Sequence, residues 1–366
     1  VFQSLFILFS LLSFSAHGAF DWQGHRGARG LYPENTINGM KESAKFPITT
    51  LELDVVISKN NEVIVSHEPW MSEEICLDSK GRAVKGRELN LYALSYEEIK
   101  TYDCGSKLHP RFPQQKKVKE IKPLLSDLLK ALEPLNFNYN IEIKSTIEDE
   151  KEGFQPDYKT FSNLVVAEIT KTIPLDRFTL QSFDWRVLKH LHEVYPQIGL
   201  VALRETKFTP RKVLKELGFS PSVFSPDWTL LSSKDVDYFH KYKIKVIPWT
   251  VNKIEDMKKV IYMGVDGIIT DYPNLIIEIP SYAYDLIPDC PAKFNRFEGK
   301  CVRVPTHATT SPKNPGWTCK AGYVQKRDSC VKVKLPKNAM FAEDGKTWSC
   351  KEGFRPYRMK CLRNTK

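Results

Sequence analysis

Two stretches near the start of the chain carry side chains suited to chemistry on a phosphate ester. Gly24-His25-Arg26-Gly27 opens a run that continues to Pro33-Glu34-Asn35-Thr36, and Leu51-Glu52-Leu53-Asp54 follows it. The glycines let backbone come close to a ligand. Glu52 and Asp54 stand at i and i+2, which in a strand puts both carboxylates on one face. A third carboxylate, Glu142, lies in Asn140-Ile141-Glu142-Ile143-Lys144, and a second histidine lies in Ser66-His67-Glu68. Three carboxylates that converge repel one another, and a hard divalent cation with a preference for oxygen ligands resolves that. Glu52, Asp54 and Glu142 are therefore the expected ligands of one Ca2+ or Mg2+ ion. His25 and His67 remain free to carry protons. Arg26 offers paired donors to phosphate oxygens, and Lys144 adds a second positive point. Glu34 is either a further ligand or a support for its own loop.

These residues need strand ends to bring them together. From residue 20 to about 280 short apolar or β-branched runs alternate with amphipathic ones. Strands are expected at 20–25, 50–57, 137–143, 178–182, 199–203, 222–226, 244–249 and 266–270. Helices are expected at 122–133, 156–171, 186–196, 209–218, 231–241 and 252–263. Eight such units in about 260 residues match the count and size of a (β/α)8 barrel, whose chemistry gathers at the C-terminal ends of the strands. A doubly wound nucleotide-binding sheet is disfavoured, because no dinucleotide fingerprint is present. Asn60-Asn61 reads as a hairpin turn between 55–57 and 63–65. After it, residues 70–121 hold no barrel unit and read as an insertion at the catalytic end. In this insertion His109, Arg111 and Phe112 are candidates to meet a larger headgroup. Trp70, Phe183 and Trp249 are candidates to line the substrate mouth. His190, His192 and His240 fall in helical stretches and read as structural or solvated.

The fold class expected is thus α/β: a TIM barrel with an insertion after the second strand, plus a small cysteine-rich C-terminal domain. The 366 residues are 42% hydrophobic and 27% charged, with a formal charge of +10. That charge is unevenly spread. Residues 291–366 hold 18 lysines and arginines against 5 acidic residues, a net of +13, which leaves the rest at −3. A negatively charged partner surface, such as an anionic cell envelope or membrane, is therefore to be sought at the tail, and nucleic acid is the weaker candidate for an exported chain. Residues 1–19 read as a secretory signal peptide. Residues 20–280 form the barrel, with the insertion at about 70–121, and residues 287–366 form a basic repeat region. Cys290–Cys301, Cys319–Cys330 and Cys350–Cys361 share one spacing, and Trp317-Thr318-Cys319-Lys320 returns as Trp348-Ser349-Cys350-Lys351. Eight cysteines without a close Cys-x-x-Cys pair point to disulfides in an oxidising compartment, secreted or periplasmic, rather than to zinc. Spacing alone leaves fifteen pairings open for the six tail cysteines.

The motifs from Gly24-His25-Arg26-Gly27 to Gly264-Val265-Asp266-Gly267-Ile268-Ile269-Thr270-Asp271-Tyr272-Pro273 resemble those of the glycerophosphodiester phosphodiesterase family. The intermediate members are Pro33-Glu34-Asn35-Thr36, Glu52-Leu53-Asp54-Val55, Ser66-His67-Glu68, Glu142-Ile143-Lys144, Gln181-Ser182-Phe183-Asp184 and Trp249-Thr250-Val251-Asn252. The resemblance spans about 24–275 and leaves out the tail. It implies a TIM barrel, one divalent ion on Glu52, Asp54 and Glu142, and acid–base roles for His25 and His67. His67 is followed by Glu68 where the family most often has aspartate. The activity implied is hydrolysis of glycerophosphodiesters to an alcohol and glycerol 3-phosphate; His25 reads as base and His67 as acid, with the opposite assignment left open. A phospholipase D-like cleavage of lysophospholipids or sphingolipids through a cyclic phosphate would use the same residues. A non-catalytic secreted binding protein would lack one of them, and none is missing.

Overall fold

The structure, a computed structural model, describes residues 20–279, 294–297, 300–311, 317–342, 347–358 and 360–364. Along the first part of the chain run β1 (Asp21–Gly24), α1 (Ile37–Ser43), β2 (Thr50–Ile57), β3 (Val63–Val65), α2 (Tyr96–Ile99), α3 (Leu125–Leu132) and β4 (Asn138–Ile143). Then come α4 (Ile147–Lys151), α5 (Tyr158–Ile169), β5 (Phe178–Ser182), α6 (Trp185–Val194), β6 (Gly199–Arg204), α7 (Pro210–Leu217), β7 (Val223–Pro226), α8 (Ser233–Lys241), β8 (Lys245–Val246), α9 (Ile254–Tyr262) and β9 (Gly267–Thr270).

Eight of these strands lie parallel in the order β8-β7-β6-β5-β4-β2-β1-β9, and β3 pairs antiparallel on β2. The two ends of that order meet. Asp266 N donates to Val246 O at 2.9 Å, and Ile269 N donates to Pro248 O at 3.0 Å. The sheet is therefore a near-closed (β/α)8 barrel. Every residue of β2 is buried, as expected of a strand covered on both faces. Inside, Asn140 Nδ2 donates to Gln23 Oε1 and to Gln181 Oε1, both at 2.9 Å, and Gln181 Nε2 donates to Glu52 Oε1 at 2.7 Å. This polar layer satisfies its own groups and fixes Glu52 from below.

The strand expected at 244–249 is present, and the helix expected from 122 begins late. The stretch 244–249 bonds β7 along its length, with Lys245 N, Ile247 N and Trp249 N donating to Ser222 O, Phe224 O and Pro226 O at 3.1 Å each. The helix expected from 122 begins at Leu125, because 122–124 runs as extended chain beside β3. Val65 N donates to Pro123 O at 2.9 Å, and Ile64 bridges Leu124. The insertion packs its own buried cluster of Met71, Ile75, Cys76, Leu91, Ile99 and Cys104 against Val56 and Ile64. The disulfide Cys76–Cys104 closes it.

The tail is a series of antiparallel hairpins. They are β10 (Phe294–Phe297) with β11 (Lys300–Arg303), β12 (Ala308–Thr310) with β13 (Trp317–Cys319), and β14 (Tyr323–Lys326) with β15 (Ser329–Lys332). The series continues with β16 (Ala339–Phe341) paired to β17 (Trp348–Cys350) and β18 (Phe354–Tyr357) paired to β19 (Lys360–Arg363). Disulfides Cys319–Cys330 and Cys350–Cys361 tie β13 to β15 and β17 to β19. Trp317 is buried with the first of these, against Val304, Ala308 and Tyr323. Repeats this small bury little apolar surface, so covalent ties carry much of their order. The expected leader at 1–19 and Cys290 lie outside the described residues. Among the described residues no helix is long and apolar enough to cross a membrane.

Candidate active site

Register alone places the acidic group. Gly24 stands opposite Leu51, Glu52 opposite Asn140, Asp54 opposite Glu142 and Glu142 opposite Gln181. One carboxylate oxygen from each of Glu52, Asp54 and Glu142 lies within 4.8 Å of the others, and all three residues are buried. Glu34 stands outside this group. Its Oε1 accepts from Arg26 Nη1 at 2.8 Å, and its Oε2 lies 2.6 Å from Arg29 Nε. Both Glu34 oxygens thus face arginines of its own loop.

The loop after β1 turns sharply. Arg26 (φ 49°), Gly27 (φ 88°) and Asn35 (φ 55°) all sit in the left-handed region. At Gly27 a Cβ would stand 3.0 Å from the Gly39 carbonyl carbon. The turn aims Arg26 N at Glu52 Oε2, to which it donates at 2.8 Å, while Arg26 Nε lies 3.1 Å from Asp54 Oδ2. Asn35 Nδ2 donates to Asp54 Oδ2 at 2.8 Å, and Asp54 N donates back to Asn35 Oδ1 at 3.2 Å. Lys144 Nζ is 2.8 Å from Glu142 Oε1 and 3.0 Å from His67 Nε2.

Each histidine has a carboxylate on Nδ1. His25 Nδ1 is 2.6 Å from Asp271 Oδ1, and His67 Nδ1 is 2.8 Å from Glu68 Oε1. An ionised carboxylate only accepts, so Nδ1 carries the hydrogen in both rings and Nε2 keeps its lone pair. Asp271 is itself held by Asn252, whose Nδ2 donates to Asp271 Oδ2 at 2.7 Å. Glu68 therefore does for His67 what Asp271 does for His25.

Electrostatics separates the carboxylates. Burial pushes Glu52 well above its ordinary range, and Asp54 adds to the shift. Burial likewise pushes Glu142 up to about 7, with Lys144 opposing. Burial acts on Asp54 too, but Arg26, His67 and Lys144 outweigh it and hold the acid low. Burial lowers both histidines, His67 to about 4, where Arg26 and Lys144 add to the effect. Both rings are neutral near pH 7. Six carboxylates gather here (Glu34, Glu52, Asp54, Glu68, Glu142 and Asp271) against four fixed cations (Arg26, Arg29, Lys122 and Lys144). The excess of two negative charges calls for two protons or one divalent cation. Raised Glu52 and Glu142 are where the protons go without an ion. Asp54 Oδ1 is buried with no hydrogen-bond partner, an orphan acceptor of the kind a cation satisfies. The donor set fits a hard divalent ion.

Phe183 and Trp249 meet edge to face at 5.4 Å between centroids, and Lys144 Nζ stands 5.6 Å from the Phe183 ring. Through Lys144 the pair stands next to Glu142 and His67. Trp70 is engaged differently, with Phe154 at 5.8 Å and the Arg87 guanidinium 4.5 Å from its ring. His109 and Phe112 do not reach for a headgroup. Both are buried, His109 Nε2 lies 3.6 Å from Glu34 Oε2, and Phe112 lies under Arg29. They brace the loop after β1, and Arg111 pairs with Glu74 at the surface. His190 bonds Asn163 and His240 bonds Asp266, both structural. Sequence reasoning assigned no role to Asn35, Lys122, Gln181, Asn252 or Asp271. All but Lys122 lie inside the motif stretches, and that was their only signal.

A parallel barrel with an acidic cluster, two carboxylate-backed histidines and fixed cations at its mouth is the architecture of a TIM-barrel phosphodiesterase. Residues 25–275 match the glycerophosphoryl diester phosphodiesterase family, and the chain belongs to it. A glycerophosphodiester phosphodiesterase of Bacillus subtilis (strain 168) is 27% identical over 268 residues, covering 70% of this chain and 84% of that protein. A lysophospholipase D of Rattus norvegicus is 25% identical over 275 residues, covering 69% and 84%. The solved structure of an Oleispira antarctica phosphodiesterase in complex with the product sn-glycerol-3-phosphate has the same fold, with a TM-score of 0.57 at 21% identity, covering 70% and 95%.

Proposed function

We propose that this chain hydrolyses glycerophosphodiesters to an alcohol and glycerol 3-phosphate with a divalent cation, Ca2+ or Mg2+, on Glu52, Asp54 and Glu142. The carrying observation is the joint placement of that buried acidic group, within 4.8 Å, beside two histidines that each donate from Nδ1 to a carboxylate. The ion would neutralise charge on the phosphate. Arg26 and Lys144 bind its oxygens, with Glu34 and Glu142 holding their side chains in place. His25 Nε2 takes the proton of the nucleophile, and Asp271 stabilises the imidazolium that forms. His67 Nε2 gives a proton to the departing alkoxide, with Glu68 in the matching role. Both rings are neutral in the free protein, so the ring that acts as acid must be charged before it serves. Phe183 and Trp249 offer an apolar wall to the glycerol or alcohol.

The three disulfides among the described residues support an exported protein. For the tail, an anionic envelope or membrane surface fits a recurring register. Arg303, Lys332 and Arg363 are exposed, and each stands across from an aromatic residue: Phe294, Tyr323 and Phe354. The test of the main reading is release of glycerol 3-phosphate from glycerophosphocholine and glycerophosphoethanolamine, with chelator and then with each ion restored. Lysophosphatidylcholine is run beside them, because the similarity to a lysophospholipase D supports a second reading on that substrate. Release from the glycerophosphodiesters that chelator abolishes is the expected result. Turnover of the lysolipid alone moves the protein to the second reading, and no turnover of either sinks both.

A further inference from the structure

Lys122 enters the site so far only as a charge. It is 5% exposed and lies just before α3, where an apolar side chain would avoid the cost of burying an ammonium. The extended segment 122–124 beside β3 brings its Nζ to 2.7 Å from Ser66 Oγ. An ammonium only donates, so the hydroxyl accepts from it and gives its own hydrogen onward. The acceptor of that hydrogen is the Glu68 carbonyl oxygen, 2.7 Å away. Two hydrogen bonds in series thus join a fixed positive charge to the backbone of the turn that carries both His67 and Glu68. Ser66 N also donates to Asp54 O at 3.0 Å, which pins the start of that turn to β2. Burial pulls the Lys122 ammonium below its ordinary range, opposed by the carboxylates of Glu68, Glu34 and Asp54 and aided by Arg26. For Glu68, burial works against ionisation, while His67 and then Lys122 work for it and the acid is held at about 2.

We infer that Lys122 is a positioning residue, which through Ser66 Oγ fixes the 66–68 turn and keeps the Glu68 carboxylate aimed at His67 Nδ1. Lys122 touches no substrate. Its effect on turnover rests on the acid–base reading of His67, and its effect on the His67–Glu68 pair does not.

The experiment combines two readouts on the full chain. Imidazole 15N shifts of His67 report which ring nitrogen carries the hydrogen, and steady-state kinetics on glycerophosphocholine reports kcat and KM. Lys122→Met should turn the Nδ1–H form of His67 into a mixture of tautomers. It should lower kcat by about tenfold with little change in KM. The kcat loss should largely vanish when Glu68 is already glutamine, since both changes break one unit. Ser66→Ala keeps the charge but cuts the link, and should give a smaller loss in the same direction. If Lys122→Met fails to fold, Ser66→Ala carries the test alone. Unchanged His67 shifts in the folded variants overturn the inference, as do fully additive losses with Glu68→Gln. If instead His67→Ala keeps full turnover while the shifts still depend on Lys122, the acid–base reading falls and the positioning role stands.

Discussion

His25 Nδ1 and Asp271 Oδ1 lie 2.6 Å apart, one just past β1 and the other just past β9. These strands lie at opposite ends of the barrel sequence and are neighbours in the sheet, with Gly24 opposite Thr270. The bond exists only in the closed barrel, so the first histidine is oriented by the last strand.

Asp271→Asn keeps the shape of the carboxylate and removes its charge. Without it the imidazolium on His25 loses its partner, and the tautomer with hydrogen on Nδ1 loses its preference. We expect kcat to fall by about a hundredfold, with KM changed much less, because the substrate is gripped elsewhere. Steady-state kinetics with a matched melting curve checks this. A variant with normal kcat would mean that His25 carries no proton in the limiting step.

Adding Ca2+ or Mg2+ to chelator-treated protein should raise its thermal midpoint. A ligand that binds only the folded form at 100 times its Kd adds about 2.7 kcal/mol of stability. The gain should disappear in Glu52→Gln, where one of the three buried ligands is neutral. Differential scanning calorimetry with and without each ion reads it. An equal rise in both proteins would place the ion elsewhere.

Much of this was legible before any fold was known, and the reason is register. Glu52 and Asp54 share a face because they are two residues apart, and Glu142 joins them because its strand pairs with theirs in parallel. The start of α3 was blurred where the segment around Pro123 runs extended beside β3. What the sequence hid were partners supplied by distant segments. His109 reads as a loop residue until it is found 1% exposed beneath Glu34. Trp70 carries the Arg87 guanidinium over its ring, a partner that its own stretch of sequence does not show. Lys122 had no motif at all, because its meaning comes from β3 running beside it.

His67 gives a dependence on pH with a definite sign. In the unfolded chain its imidazole titrates near 6.5, and in the fold it titrates near 4, so between those values the unfolded state binds more protons. Its contribution is therefore complete above about pH 6.5 and is lost as pH falls toward 4. His25 works in the same direction. Glu142, raised from 4.5 to about 7 in the ion-free protein, works in the opposite one. The difference between wild type and His67→Asn isolates the term. Midpoints measured from pH 7 to 4 should fall more steeply for the wild type, and parallel curves would mean that the ring accepts a proton in the fold as readily as in the open chain.

Asn35 combines two features that substitution can separate. Its side chain makes both bonds to Asp54, and its backbone sits at φ 55° in the left-handed region. Asn35→Gly removes the bonds and keeps that conformation cheap, whereas Asn35→Ala removes the bonds and strains the turn as well. Loss of two buried hydrogen bonds should cost roughly 2 kcal/mol in either variant, and alanine should cost about 1 kcal/mol more than glycine. Urea denaturation of the ion-free protein measures both. Equal losses would show that the turn relaxes without its left-handed residue, and negligible losses would show that Arg26 alone suffices to hold Asp54 in place.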